Sequence, residues 1–206
     1  MALPSGLCLT HHPMAKHQSM CRRLALVGIA GGVLSLNRLS LAGAARPILL
    51  SELVQNSPVV TVGVARSSTS RWVEAYGGRR ILTYTRVEVL QSMGAKDPAD
   101  ADLYVETLGG SVGDIAQVVH GEPQLVHGEP CVAFLRKNAE GLYRLTARAQ
   151  GHYPLKNDND GAQRLSASPK LADLTTRLAH GAVSRLKGRT LAVCERLVKQ
   201  EISSAP

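Results

Sequence analysis

One stretch of alternating residues constrains the fold of this chain more than any other feature. In RRILTYTRVEVLQSM, residues 79–93, every second position from 81 to 89 is Ile, Thr or Val. Successive side chains of a strand point to opposite faces, so these positions share one face. β-branched residues suit a pleated, half-buried surface. The stretch therefore predicts a long β-strand.

Shorter runs of β-branched and aromatic residues, separated by Gly, Pro, Asn and Asp, predict about five more strands. With the first, they cover residues 57–65, 79–93, 102–108, 131–137, 141–149 and 151–158. No crossover of helical length separates them, which favours a small antiparallel barrel or sandwich over an α/β sheet. The oligonucleotide/oligosaccharide-binding (OB) barrel is one such shape. The polar run RSSTSRWVEAYGG, residues 66–78, is predicted to be a hairpin connection.

Two segments outside the strands have helical character. Residues 48–54 predict a helical turn or two. From Ser168 onwards the apolar spacing becomes helical, which predicts one or two helices within residues 169–180 and 188–202. We therefore expect a mainly β domain over 46–165 and a helical segment over 166–206.

Residues 1–45 have the organisation of a secretory signal peptide. Arg22 and Arg23 precede thirteen uncharged residues, 24–36, and the small residues 42–45 follow. The paired arginines are typical of a twin-arginine signal, although the usual Phe-Leu-Lys is missing, so the general pathway stays open. A membrane span needs about 20 apolar residues. We expect cleavage near residue 45, export to the periplasm or extracellular space, and no stable membrane span afterwards.

The charge and aromatic content exclude some partners. The formal net charge is +8, but residues 1–45 hold four basic residues and no acidic ones. The remainder holds 20 basic and 16 acidic residues, scattered along the chain. Aromatic residues make up only 3%, so platforms for stacking sugars or unpaired bases are unexpected. We predict no nucleic-acid partner.

Four blocks of the chain resemble a known family. They are RRILTYTRVEVLQSMGA, LYVETLGGSVGDIAQVVHGEP, LVHGEPCVAFL and GLYRLTARAQGHYPL, within residues 57–156. They are similar to blocks of a family of small exported bacterial β-rich proteins, mostly of unassigned function. The resemblance implies export and a β fold, and it carries no catalytic residues. Some members are associated with secreted metalloprotease-like proteins, which implies a protein-binding role.

The run GGSVG, residues 109–113, matches the G-x-S-x-G motif, with Ser111 as the candidate nucleophile. A predicted strand precedes it, and residues 114–120 can be interpreted as the helix that the motif requires. However, the chain lacks the alternating strands and helices of such hydrolases. We therefore expect the glycines to serve a turn or bulge instead.

The tetrapeptide His-Gly-Glu-Pro occurs twice, seven residues apart, and offers imidazole and carboxylate groups to a metal. The candidate ligands are His120, Glu122, His127 and Glu129. Their spacing matches no zinc framework, and the Gly and Pro in each copy exclude a helix. We expect two turns in which Gly121 and Gly128 have positive φ and all four polar side chains are exposed. No metal or cofactor is predicted.

Two cysteines, Cys131 and Cys194, remain after the leader. In an oxidising compartment they can form a disulfide, or they can be two small buried residues. Both interpretations stay open.

Together these features predict an exported, non-enzymatic binding or accessory module, with another secreted protein as its partner. Its working surface would be loops at one rim of the β domain, including the repeat. The alternative is a small secreted hydrolase that uses Ser111 or a metal at the repeat.

Overall fold

The computed structural model describes residues 46–95, 101–173 and 181–204. The predicted leader and its cleavage site lie outside the described residues. The helices are α1 (Leu50–Gln55), α2 (Ala182–Leu186) and α3 (Leu191–Ser203). The strands are β1 (Val59–Ala75), β2 (Gly78–Ser92), β3 (Asp102–Leu108), β4 (Gly110–Val112), β5 (Ile115–Gln117), β6 (Pro130–Lys137), β7 (Tyr143–Leu145), β8 (His152–Asn157) and β9 (Gln163–Leu165).

Five strands close into a barrel in the order β1-β2-β3-β7-β6. Strand β1 closes it, because Thr61 pairs with Ser92 of β2 on one side and with Ala133 of β6 on the other. The β3–β7 pairing is parallel and the other four are antiparallel. The predicted small barrel with C-terminal helices is confirmed, and the strand order is that of an OB barrel.

The first hairpin differs from the sequence prediction. Residues 66–75 continue β1 without a break and pair with β2, so the polar run is strand rather than connection. The turn is only Tyr76 and Gly77, whose φ angles of 53° and 77° fit the two-residue turn that suits a twisted hairpin. Most residues of this half of β1 are exposed, which explains the polar sequence.

The barrel wall separates two apolar cores. The first fills the barrel with residues of β1, β2, β3, β6 and β7, including Val59, Val87, Val105, Leu135 and Tyr143. The second lies between the outer face of the barrel and the helices, and includes Val60, Phe134, Tyr153, Leu53 and Val198. This second core fixes α1 and α3 against β1, β6 and β8, and so leaves the β2–β3 side uncovered by described helices.

The C-terminal part agrees with the sequence prediction only partly. Helix α3 confirms the helix expected within 188–202. The other expected helix begins as a 3₁₀ helix at Pro169–Asp173, and residues 174–180 lie outside the described residues. The strand expected over 141–149 is only Tyr143–Leu145, because Ala147 and Arg148 both have a φ of 54° where another 3₁₀ helix, Arg148–Gly151, begins. Among the described residues, no helix is long and apolar enough to cross a membrane.

Candidate functional site

A polar groove of about 460 Å³ opens at one end of the barrel. Its floor carries hydroxyl groups from three neighbouring strands, namely Ser68 and Ser70 of β1, Thr83 and Thr85 of β2, and Thr107 of β3. Residues directly opposite each other on paired strands share a face. The register pairs Ser70 with Thr83 and Thr83 with Thr107, so these side chains form one row. They continue the inward-facing side of the sheet beyond the apolar core.

Hydrogen bonds hold the β4–β5 hairpin against this row. Ser70 Oγ lies 2.8 Å from Thr83 Oγ1, and Thr83 Oγ1 donates to the carbonyl of Gly109 at 2.7 Å. Gln117 Oε1 accepts the backbone N–H of Ile81 at 2.7 Å. A Cβ at Gly110 would lie 2.5 Å from Ser70 Oγ, so the close approach requires glycine there.

The two copies of the repeat form the same turn. Glu122 N–H donates to the Val119 carbonyl at 3.2 Å, and Glu129 N–H donates to the Val126 carbonyl at 3.1 Å. The glycine at the third position of each turn has positive φ, 72° at Gly121 and 77° at Gly128. This pattern is that of a type II turn. The predicted pair of turns is confirmed.

The exposed position predicted for Glu122 is wrong. Its side chain is only 11% exposed and lines the groove. One carboxylate oxygen accepts the backbone N–H of Leu108 at 3.2 Å, and the other lies 3.6 Å from Nε of Arg148. Burial raises the pKa of the Glu122 carboxyl, although the Leu108 hydrogen bond and Arg148 act in the opposite direction. His120, His127 and Glu129 are exposed, as expected.

The opening of the groove carries two exposed apolar side chains. Val118 is 71% exposed and Val126 is 50% exposed, and both line the opening. Large apolar side chains left in water beside a concave surface often mark a site where a partner binds. The groove thus combines a row of hydroxyl groups with two exposed valines at its opening.

Ser111 does not have the setting of a hydrolase nucleophile. It is exposed on β4, and residues 115–117 form β5 of the same hairpin rather than the required helix. Gly109, Gly110 and Gly113 have φ of 93°, 130° and 59°, which confirms their expected turn role. Within the described residues, the Ser111 hydroxyl makes no hydrogen bond with a histidine or carboxylate.

The side chains of the repeat do not form a group that could hold a metal ion. In the part of the chain that the structure describes, no three His, Cys, Asp or Glu side chains are placed to hold a metal ion together. His152 is buried on β8, and its Nδ1 lies 3.3 Å from Ser168 Oγ. His180 lies outside the described residues.

Cys131 and Cys194 are both free and buried, so the disulfide interpretation is not supported. Cys131 lies in the core inside the barrel, and Cys194 on α3 lies in the core outside it. The strand wall therefore keeps the two thiols apart. Burial raises the pKa of each thiol to about 12.

Local sequence did not indicate the hydroxyl row. Ser68 and Ser70 lie in the run expected to be a connection, and only the register with β2 places them beside Thr83 and Thr85. Alternation of the two serines was the available signal.

Comparisons of the chain with protein-family models, with curated proteins and with solved structures give no match.

Proposed function

We propose that this protein is an exported, non-enzymatic binding module, and that the groove at the barrel mouth binds an extended segment of another secreted protein. The arrangement of residues 1–45 as a signal peptide supports export. The groove, with its floor of hydroxyl groups and its rim of exposed valines, is the observation that carries the proposal.

The chemistry of the floor suits a peptide backbone. A hydroxyl both donates and accepts hydrogen bonds. Ser70 and Thr83 are engaged with each other and with Gly109, so the hydroxyls of Ser68, Thr85 and Thr107 are the ones that can pair with the N–H and C=O groups of an extended chain. The cavity of about 460 Å³ falls within the roughly 300–1,000 Å³ typical of binding sites. Val118 and Val126 would lose water when the segment binds, which favours association.

Peptide display on the purified protein tests this proposal. Peptides selected on the wild-type protein should lose binding to the double variant Val118→Asp/Val126→Asp by at least about tenfold, which is about 1.4 kcal/mol. Leu90→Asp is the matched control, because Leu90 is 56% exposed on β2 but does not line the groove. Selected peptides that bind the double variant as tightly as the wild type would disprove the groove as the site.

The competing hydrolase function has a direct test. A fluorophosphonate probe should not label Ser111, because no described histidine hydrogen-bonds to its hydroxyl. Stoichiometric labelling that is lost in Ser111→Ala would support the hydrolase over the binding module.

A further inference from the structure

Strand β1 has a long open edge. Residues 59–64 pair with β6 on the side away from β2, but residues 67–75 pair with β2 alone. Among the described residues, no other strand or backbone group hydrogen-bonds to this nine-residue edge. A row of unpaired N–H and C=O groups is a template for another strand.

The outer face beside this edge is cationic. Arg71 lies on that face, and Arg80 of β2 lies opposite Val73 on the same face. Both arginines are exposed, and neither forms an ion pair with a described residue. The guanidinium of Arg71 lies 4.4 Å from the ring centre of Tyr84. A guanidinium in contact with an aromatic face can still donate its N–H groups to a carboxylate.

The inner face beside the edge continues the groove. Trp72 pairs with Ile81, and Ile81 shares the face of Thr83. Ser70, on the same face, lines the groove itself. A strand added to β1 would therefore place alternate side chains beside the arginines and beside Trp72.

We propose that the partner segment adds to the free edge of β1 as a further β-strand, with acidic side chains on the outer face. This inference rests on the proposed function, whose bound segment it identifies as an acidic, alternating polypeptide. The open backbone edge selects a polypeptide, since only a peptide chain supplies N–H and C=O groups at strand spacing. The unpaired arginines favour a segment with negatively charged side chains, because opposite charges attract across an interface.

An acetylated ten-residue peptide of alternating Glu and Val is the probe, and the fluorescence of Trp72, the only tryptophan, reports binding. The matched peptide of alternating Lys and Val should bind at least about tenfold more weakly.

Two further Glu-Val probes test the backbone hydrogen bonds: one carries N-methyl groups on its Glu residues, and the other carries them on its Val residues. Alternate N–H groups of a strand point to opposite edges, so one of these two probes should lose binding and the other should keep it.

Variants test the assignment of the edge. Arg71→Glu/Arg80→Glu should reverse the preference, so that the Lys-Val peptide binds more tightly than the Glu-Val peptide. Arg136→Glu is the matched control, because Arg136 is an exposed arginine on the same outer face but on β6, beyond β3 and β7. It should leave both affinities within about twofold.

Three results would overturn the strand addition: equal effects of both N-methyl patterns, equal binding of both charges, or a wild-type dimer that Arg71→Glu/Arg80→Glu dissociates. If these occur while displayed peptides still require Val118 and Val126, the groove function stands and the strand addition fails. If the Glu-Val peptide binds as described while no displayed peptide requires the two valines, the edge is the site and the groove is not.

Discussion

Glu122 accepts a hydrogen bond from the backbone N–H of Leu108 at 3.2 Å, so the first copy of the repeat caps the end of β3. Glu122→Ala would leave this N–H without its partner, which costs about 1–3 kcal/mol when the group is buried. Urea unfolding should therefore show a free energy of unfolding lower by about that amount.

Glu129 provides the control, since it occupies the same position of the second copy but is exposed. Glu129→Ala should change the free energy of unfolding by less than about 0.5 kcal/mol. Equal effects at the two positions would contradict the capping role of Glu122.

The stability of the protein should depend on His152 below neutral pH. Burial lowers the pKa of this side chain to about 4, against about 6.5 in the unfolded chain. The unfolded state therefore binds the proton first, and stability falls as pH drops from about 6.5 towards 4. Between pH 7 and pH 4 the wild type should lose roughly 3 kcal/mol more than His152→Gln, which lacks the titrating ring. If urea unfolding shows the same change in free energy of unfolding with pH for the wild type and for His152→Gln, the prediction is wrong.

The tip of the β1–β2 hairpin requires a residue with positive φ. Gly77 has a φ of 77°, and a Cβ there would meet nothing within 4 Å, so any cost of Gly77→Ala comes from the backbone. That cost is about 1–2 kcal/mol for an L-residue in the left-handed region. Gly78→Ala is the control, because its surroundings are equally open and its φ is not positive. Thermal unfolding should show a loss for Gly77→Ala alone.

Cys131 and Cys194 should both be thiols. After unfolding in guanidinium chloride without reductant, iodoacetamide should modify Cys131 and Cys194 completely, as measured by peptide mass mapping. In the folded protein the same reaction should be slow, because burial raises both pKa values to about 12 and the thiolate is the reactive form. Modification that requires a reductant would show a disulfide instead.

The barrel strands were predictable where hydrophobic alternation and burial coincide. In β2, residues 81, 83, 85 and 87 form the inner face that the sequence indicates. Ser68 and Ser70 were not assigned to a strand, because hydroxyl side chains at an open barrel mouth have the composition of a loop. Their role depends on a register with residues more than ten positions away.

The repeat marks a second limit of local sequence. Glu122 and Glu129 have the same neighbours, Val-His-Gly before and Pro after, and the same backbone turn. Only Glu122 contacts Leu108 and Arg148. Local sequence determined the turn twice, whereas tertiary packing determined which carboxylate is buried.

The core outside the barrel can be completed only late in the synthesis of the chain. It combines Val60, near the start of the described chain, with Phe134 and with Val198 on the last described helix. During synthesis from the N-terminus, the apolar outer face of β1 and β6 stays incompletely covered until α3 has been made. A chain that cannot bury this surface early remains prone to aggregation and available to chaperones. Truncation before residue 190 should therefore yield a protein that aggregates rather than a smaller folded barrel.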